Sequence, residues 1–286
     1  MAHREGYGCE LYGGGTEGVK VEQIKELLRD LHNYSVVFLK QPHEEASAIG
    51  SGTFVTLGSI AGILTCRHVI EVLEPNGMNN IAGHLIGSAA KNNLAFRLHA
   101  ENILVFPKSD QHAPDLGFIR LNEPEASSLK ARFSFLNLEM QAKEFQKPEP
   151  DAIETIHILS GAFEELTQKV DLEDGTSEIK LVTHLTDGTI LKKEYISDFD
   201  YVKFQPKPFE PEQNPLPASF VATSGGGLWR CFIQQNCNNN SFTFSRRFVG
   251  VAFYETGGLP NQIICHGPES IYIKLMPKIR ELWPNG

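Results

Sequence analysis

Ser224 lies in Ser219 to Arg230, which reads Ser-Phe-Val-Ala-Thr-Ser-Gly-Gly-Gly-Leu-Trp-Arg. Glycine loses more backbone entropy on folding than any other residue, so three in a row need a reason. One reason is a tight turn that holds the serine hydroxyl clear of the main chain. Such a turn would aim the neighbouring amides at one point, where they could stabilise an oxyanion. A flexible glycine turn between strands is the plainer alternative. Hydrolysis of an amide by a serine hydroxyl also needs a base to take its proton and a carboxylate to orient that base. His68 ends an apolar run in Leu-Thr-Cys-Arg-His-Val, and Asp115 opens another in Asp-Leu-Gly-Phe-Ile-Arg-Leu. A carboxylate at a strand mouth can be buried and pointed at a histidine.

The elements that must hold these residues are mostly short β-like runs bounded by turns. Residues up to Gly18 are glycine-rich and read as loose. Val21, Ile24, Leu28 and Leu31 recur at helical spacing, which predicts an amphipathic helix packed on the body of the protein, with a regulatory docking helix as the alternative. Strands are expected at Val36 to Leu39, Gly50 to Leu57, Ala61 to Thr65, Leu94 to Leu98, Ile103 to Phe106, Leu116 to Leu121 and Phe133 to Leu138. Gln141 to Asp151 is charged, contains two prolines and reads as a linker. A second set follows at Ile153 to Leu159, Tyr201 to Gln205, Trp229 to Gln234 and Phe248 to Tyr254. Glu178 to Leu185 and Thr189 to Tyr195 flank Thr186-Asp187-Gly188, a hairpin signal. Pro206 to Pro217 reads as a surface loop that could gate a site, and Asn238 to Asn240 as a turn. Ser270 to Leu275 reads as the last strand and Met276 to Trp283 as a short helix with Pro277 in its first turn. Without βαβ alternation, this predicts an all-β chain of two packed antiparallel β-barrels with a helix at each end. The expected divisions are an extension over 1–34, a first barrel over 35–146, and a second barrel with the closing helix over 147–286.

Composition narrows the partners. The 286 residues are 41% hydrophobic and 21% charged, enough for a proper core, and the net charge of −9 argues against nucleic acid. No stretch approaches the apolar length of a membrane span, so no membrane partner is expected. The first residues lack an apolar secretory segment, and five scattered cysteines suit a reducing compartment, so a cytoplasmic location is expected. Cys231 and Cys237 are poorly spaced for zinc. Meeting Cys265 and His266 in space is a remote option, so neither metal nor cofactor is expected. His43, His84, His99, His112 and His184 have no supporting pattern and read as surface residues.

Several stretches, in order, resemble the trypsin-like serine peptidases of the chymotrypsin-fold superfamily. Gly50-Ser51-Gly52-Thr53-Phe54-Val55 resembles the strand before that family's histidine, and Ile63 to Val69 is similar to the histidine segment itself. Asp115 to Leu121 resembles the aspartate segment, Ser224-Gly225-Gly226-Gly227-Leu228 the nucleophile segment, and Gly250 to Tyr254 the strand bordering substrate. Ser270 to Leu275 resembles the strand before the closing helix. The resemblance covers Ser35 to Trp283. It implies Ser224 as nucleophile, His68 as general base then acid, and Asp115 as its orienter. It also implies an oxyanion hole from the amides of Ser224 and Ala222, helped by Thr223, and a crevice between two barrels. A protein or peptide substrate would add as a strand along Phe253, Tyr254 and Glu255. Ala218 matches the pocket base, with Ser219 and Ser270 beside it. No carboxylate fills that base, so a neutral, small-to-medium side chain is the expected preference, with a basic residue as the alternative through Glu255 near the mouth or Glu269 near the wall.

The departures bear on activation. Ala222 replaces the usual glycine, and a Cβ is costly if the amide must turn inward with a glycine-like backbone, so the hole could be unformed at rest or formed with another local geometry. Thr223 replaces the aspartate that secreted digestive members use to hold a cleaved N-terminus, so that zymogen mechanism is not expected. Gly227 replaces proline, and no cysteine follows His68, so the family's disulfide there is missing. The sequence therefore supports a serine endopeptidase, with room for an activating partner or ligand. The alternative is a non-catalytic module that binds a protein strand in the same groove.

Overall fold

A computed structural model describes residues 21–40, 47–73, 81–85, 94–98, 100–106, 114–164, 168–171, 177–180, 183–208, 216–236, 241–257 and 261–284. The readings of the first eighteen residues, Cys237, the turn at Asn238 to Asn240, His43, His99, His112 and most of the loop before Pro217 lie outside them. So do the side chains of His84 and His184.

After α1 (Val21–His32), the first β region comprises β1 (Ser35–Lys40), β2 (Ser47–Leu57), β3 (Ile60–Thr65), β4 (Ile81–Leu85), β5 (Leu94–Leu98), β6 (Ala100–Val105) and β7 (Gly117–Leu121). They are ordered β5-β4-β1-β2-β3-β7-β6, and the short β8 (Leu136–Asn137) adds parallel to β2. The two ends of this path, β5 and β6, are separated in the chain by one residue, so the sheet curls round to meet itself. α2 (Arg67–Leu73) follows β3. α3 (Glu123–Lys130) and α4 (Leu138–Gln146) follow β7 and β8.

The second region is a closed barrel of β12 (Thr183–Ile196), β13 (Phe199–Lys207), β16 (Gln262–His266), β15 (Ser241–Thr256), β14 (Gly227–Asn236) and β9 (Glu154–Ala162). β10 (Gln168–Asp171) and β11 (Ser177–Lys180) form a separate hairpin. The all-β architecture of two antiparallel β-domains with terminal helices is the one expected.

Four local readings need correction. The strand expected at Phe133 to Leu138 is only the two residues of β8, after which Leu138 opens α4. Thr186-Asp187-Gly188 is not a hairpin but the middle of β12, paired with both β9 and β13. Gly188 serves close packing there, because a Cβ would meet Gln205 O and the Phe204 ring at 2.3 Å. Ser270–Leu275 is a π-helical segment leading into α5 (Met276–Leu282), not a strand. Buried Asp200 accepts from the Ser270 amide at 2.6 Å and the Glu269 amide at 3.1 Å, satisfying donors that open the helical segment. The last strand is instead β16. Most of the expected linker's first half is α4, whose Met140 amide donates to the Asn137 side chain at 3.0 Å.

The core crosses the seam between the two regions. Phe54, Phe118, Trp229, Phe248 and Ile271 belong to one buried cluster, together with Leu27 and Leu31 of α1. A second cluster, including Phe204, Leu228 and Cys265, fills the barrel.

Candidate active site

The β3–β7 register brings His68 to Asp115. Thr65 pairs with Gly117, and continuing that ladder sets Arg67 against Asp115, whose carbonyl accepts from the Arg67 amide at 3.3 Å. β3 then turns into α2, with His68 in its first turn. The Asp115 carboxylate accepts from the His68 amide at 3.0 Å and is hydrogen-bonded through its other oxygen to His68 Nδ1. Burial alone would raise the Asp115 pKa, but the hydrogen bond and charge of His68 outweigh it and hold the carboxyl below its ordinary value. With Nδ1 engaged, His68 borders a cleft of about 310 Å³ that Ser224, Phe220, Phe253, Glu255 and Ile263 also line.

Ser224 occupies the turn that enters β14, and the first β region clamps that turn. The Ser51 amide donates to the Ser224 carbonyl at 2.7 Å, and Ser51 Oγ donates to the Ala222 carbonyl at 2.7 Å. Gly225 has φ +88°, and a Cβ there would sit 1.9 Å from the Ser51 carbonyl oxygen. Ala222 takes φ +72°, a glycine-like conformation, despite its Cβ. Among the described residues, the amides of Ala222 and Ser224 donate to no acceptor, and both residues line the cleft. Thr223 differs from expectation: its amide is spent on the Phe220 carbonyl at 3.0 Å, so only two amides remain for an oxyanion. Ser224 Oγ makes a long 3.5 Å contact to the Phe253 carbonyl, and no hydrogen bond joins it to His68.

The supposed pocket residues divide. β14 begins at Gly227 opposite Val251, so the edge of Phe253, Tyr254 and Glu255 beyond it is left to the cleft. Ser219 donates to the Glu255 carboxylate at 3.1 Å, as does the Phe220 amide at 3.0 Å, and Asn261 donates to its other oxygen at 2.7 Å. Ala218 stands behind, its carbonyl accepting from Asn261 at 3.1 Å. Ser270 is not a pocket residue: it is buried, and its hydroxyl bonds Asp200.

Three residues escaped the sequence reading. Ser51, within the β2 run, ties the two β regions together at the turn that carries Ser224. Ile263 lines the cleft because β16, rather than Ser270 to Leu275, is the last strand. Fully buried His266 stacks on Phe253 at 4.1 Å, and neither of its ring nitrogens closes a hydrogen bond. Cys66, His68 and Asp115 place possible metal-donor atoms within 4.8 Å of one another. The Cys66 thiol, however, donates to the Ala252 carbonyl at 3.0 Å, and burial pushes its pKa well up, which disfavours the thiolate a metal needs. The site therefore suits a hydrogen-bonded relay better than a metal.

No protein-family model and no curated protein matches the chain. Among the solved structures similar to it are the following two. One is a chain from work on how aromatic interactions drive the coupled folding and binding of the intrinsically disordered Sesbania mosaic virus VPg protein. It is 12% identical, with a TM-score of 0.44, over 85% of this chain and 90% of that one. The other is the scabies mite inactivated protease paralogue S-D1, 11% identical with a TM-score of 0.45, over 88% and 94%.

Proposed function

We propose that the chain is a serine endopeptidase working through an acyl-enzyme. Ser224 Oγ attacks the substrate carbonyl and gives its proton to His68 Nε2, while Asp115 holds the imidazole in the right tautomer. The amides of Ala222 and Ser224 receive the oxyanion. His68 then protonates the leaving amine, and water releases the acyl group. The observation that carries this reading is the opening of three things on one cleft: the His68–Asp115 pair, the Ser224 hydroxyl and two amides without acceptors. Three donors already occupy the Glu255 carboxylate, which favours a neutral residue over Lys or Arg beside the scissile bond.

One observation favours a strand-binding module without catalysis: the Ser224 hydroxyl is turned toward Phe253 rather than His68. Under the enzyme reading, substrate or an activating partner rotates it back. A proteome-derived peptide library separates the two. The enzyme cleaves it at defined sites, and Ser224→Ala lowers the rate roughly 10⁴-fold or more. Absence of any Ser224-dependent cleavage, with and without cell lysate, sinks the enzyme reading.

A further inference from the structure

A second cavity, of about 340 Å³, lies on the closed barrel away from the cleft, and its charges are not balanced. Arg230 on β14 and Arg247 on β15 pair directly across the strands, and His157 on β9 pairs with Arg230 from the other side. Like charges set directly opposite each other destabilise a sheet unless something compensates. Both guanidinium groups lie 5.5 Å from the centre of the same ring, Phe232. Arg247 is only 8% exposed. It donates to the Pro148 carbonyl at 2.6 Å, and no carboxylate pairs with it among the described residues. Arg230 pairs with Glu149, but its Nε is buried without an acceptor. Lys147 is paired with Glu144, whereas Lys193 on the rim has no carboxylate partner among the described residues. Burial, and then the charges of Arg230 and Lys193, push His157 down to about 4.

A buried guanidinium without a carboxylate partner, in the wall of a cavity, is the mark of a missing anion. Among the described residues two cations are left over, Arg247 and Lys193, which matches the charge of a phosphate monoester better than that of a single carboxylate. The rest of the lining is apolar, with Phe145, Ile190, Val202 and Val249 forming a floor suited to a flat, uncharged body. We propose that this cavity binds a small phosphate monoester carrying a planar apolar group, of about the size of a nucleoside monophosphate. The phosphate sits between Arg230, Arg247 and Lys193, and the apolar group lies on the Phe145 side. Because Glu149 and Pro148 already touch these arginines, the ligand also bears on the segment that joins α4 to the barrel.

The site makes no use of Ser224, so calorimetry on the full chain tests it independently of any peptidase activity. AMP and inorganic pyrophosphate serve as probes at low ionic strength. AMP should bind, and bind less tightly as salt rises. Lys193→Glu, an exposed change that leaves the fold alone, and Arg230→Met should each weaken AMP by tenfold or more. Glu149→Gln should tighten it by removing the competing carboxylate. No heat with AMP, or the same affinity in all three variants, overturns the site. Pyrophosphate binding as tightly as AMP overturns the role given to the apolar floor.

Discussion

At the scale of single residues, the site turns on Ala222. An alanine at φ +72° is strained, because its Cβ crowds the backbone in the left-handed region. Two bonds hold it there, from Ser51 Oγ to its carbonyl and from the Thr223 amide to Phe220. Ala222→Gly should therefore raise unfolding stability by about 1 kcal/mol, measured by urea denaturation, since glycine takes that conformation freely. A loss of stability would mean that the alanine methyl packs well enough to outweigh the strain. The concern raised by the sequence, that a Cβ here leaves the amide misdirected, assumed a backbone free to choose. The clamp from Ser51, on a strand 171 residues distant in the chain, was not readable from local sequence.

At the scale of elements, strongly patterned segments were legible and ambiguous ones were not. The α1 periodicity was plain in part: Leu31 is buried in the shared core and Leu28 packs half-buried against it, but the fully buried Leu27 stood outside the expected stripe. Leu31→Ala should cost roughly 3 kcal/mol, read from the denaturation midpoint. A change under about 1 kcal/mol would mean that the helix is peripheral. Ser270 to Leu275 looked like a strand because Ile271, Ile273 and Leu275 fall at alternate positions. Burial instead falls on Ile271, Tyr272, Leu275, Met276 and Ile279, a helical spacing that shows only when the next segment is read with it. Asp187-Gly188 carried a real turn signal, overridden because the glycine is needed for close approach to β13. The order of His68, Asp115 and Ser224 was readable. The register that joins the first two, and the second-region turn that presents the third, are products of folding over long separations.

At the scale of the whole molecule, burying ionisable groups at the seam makes stability depend on pH. Burial outweighs the nearby Asp115 charge and holds His266 down at about 3, against an ordinary 6.5. Between those values the unfolded chain binds a proton that the folded chain does not, so stability falls as pH falls. The slope approaches about 1.4 kcal/mol per pH unit where the difference is complete. His157, held down at about 4, adds in the same direction. His266→Phe should flatten the fall in urea midpoint between pH 6.5 and pH 4. An unchanged slope would mean that His266 keeps its ordinary titration. No described helix is long and apolar enough to cross a membrane.

The central claim is that chain segments from both β regions meet to activate one hydroxyl. Its most direct test is a fluorophosphonate adduct located by peptide mass spectrometry. The account predicts one adduct, on Ser224, lost in His68→Ala although Ser224 is still present. An unlabelled wild type in every condition, or an adduct that survives His68→Ala undiminished, would contradict it.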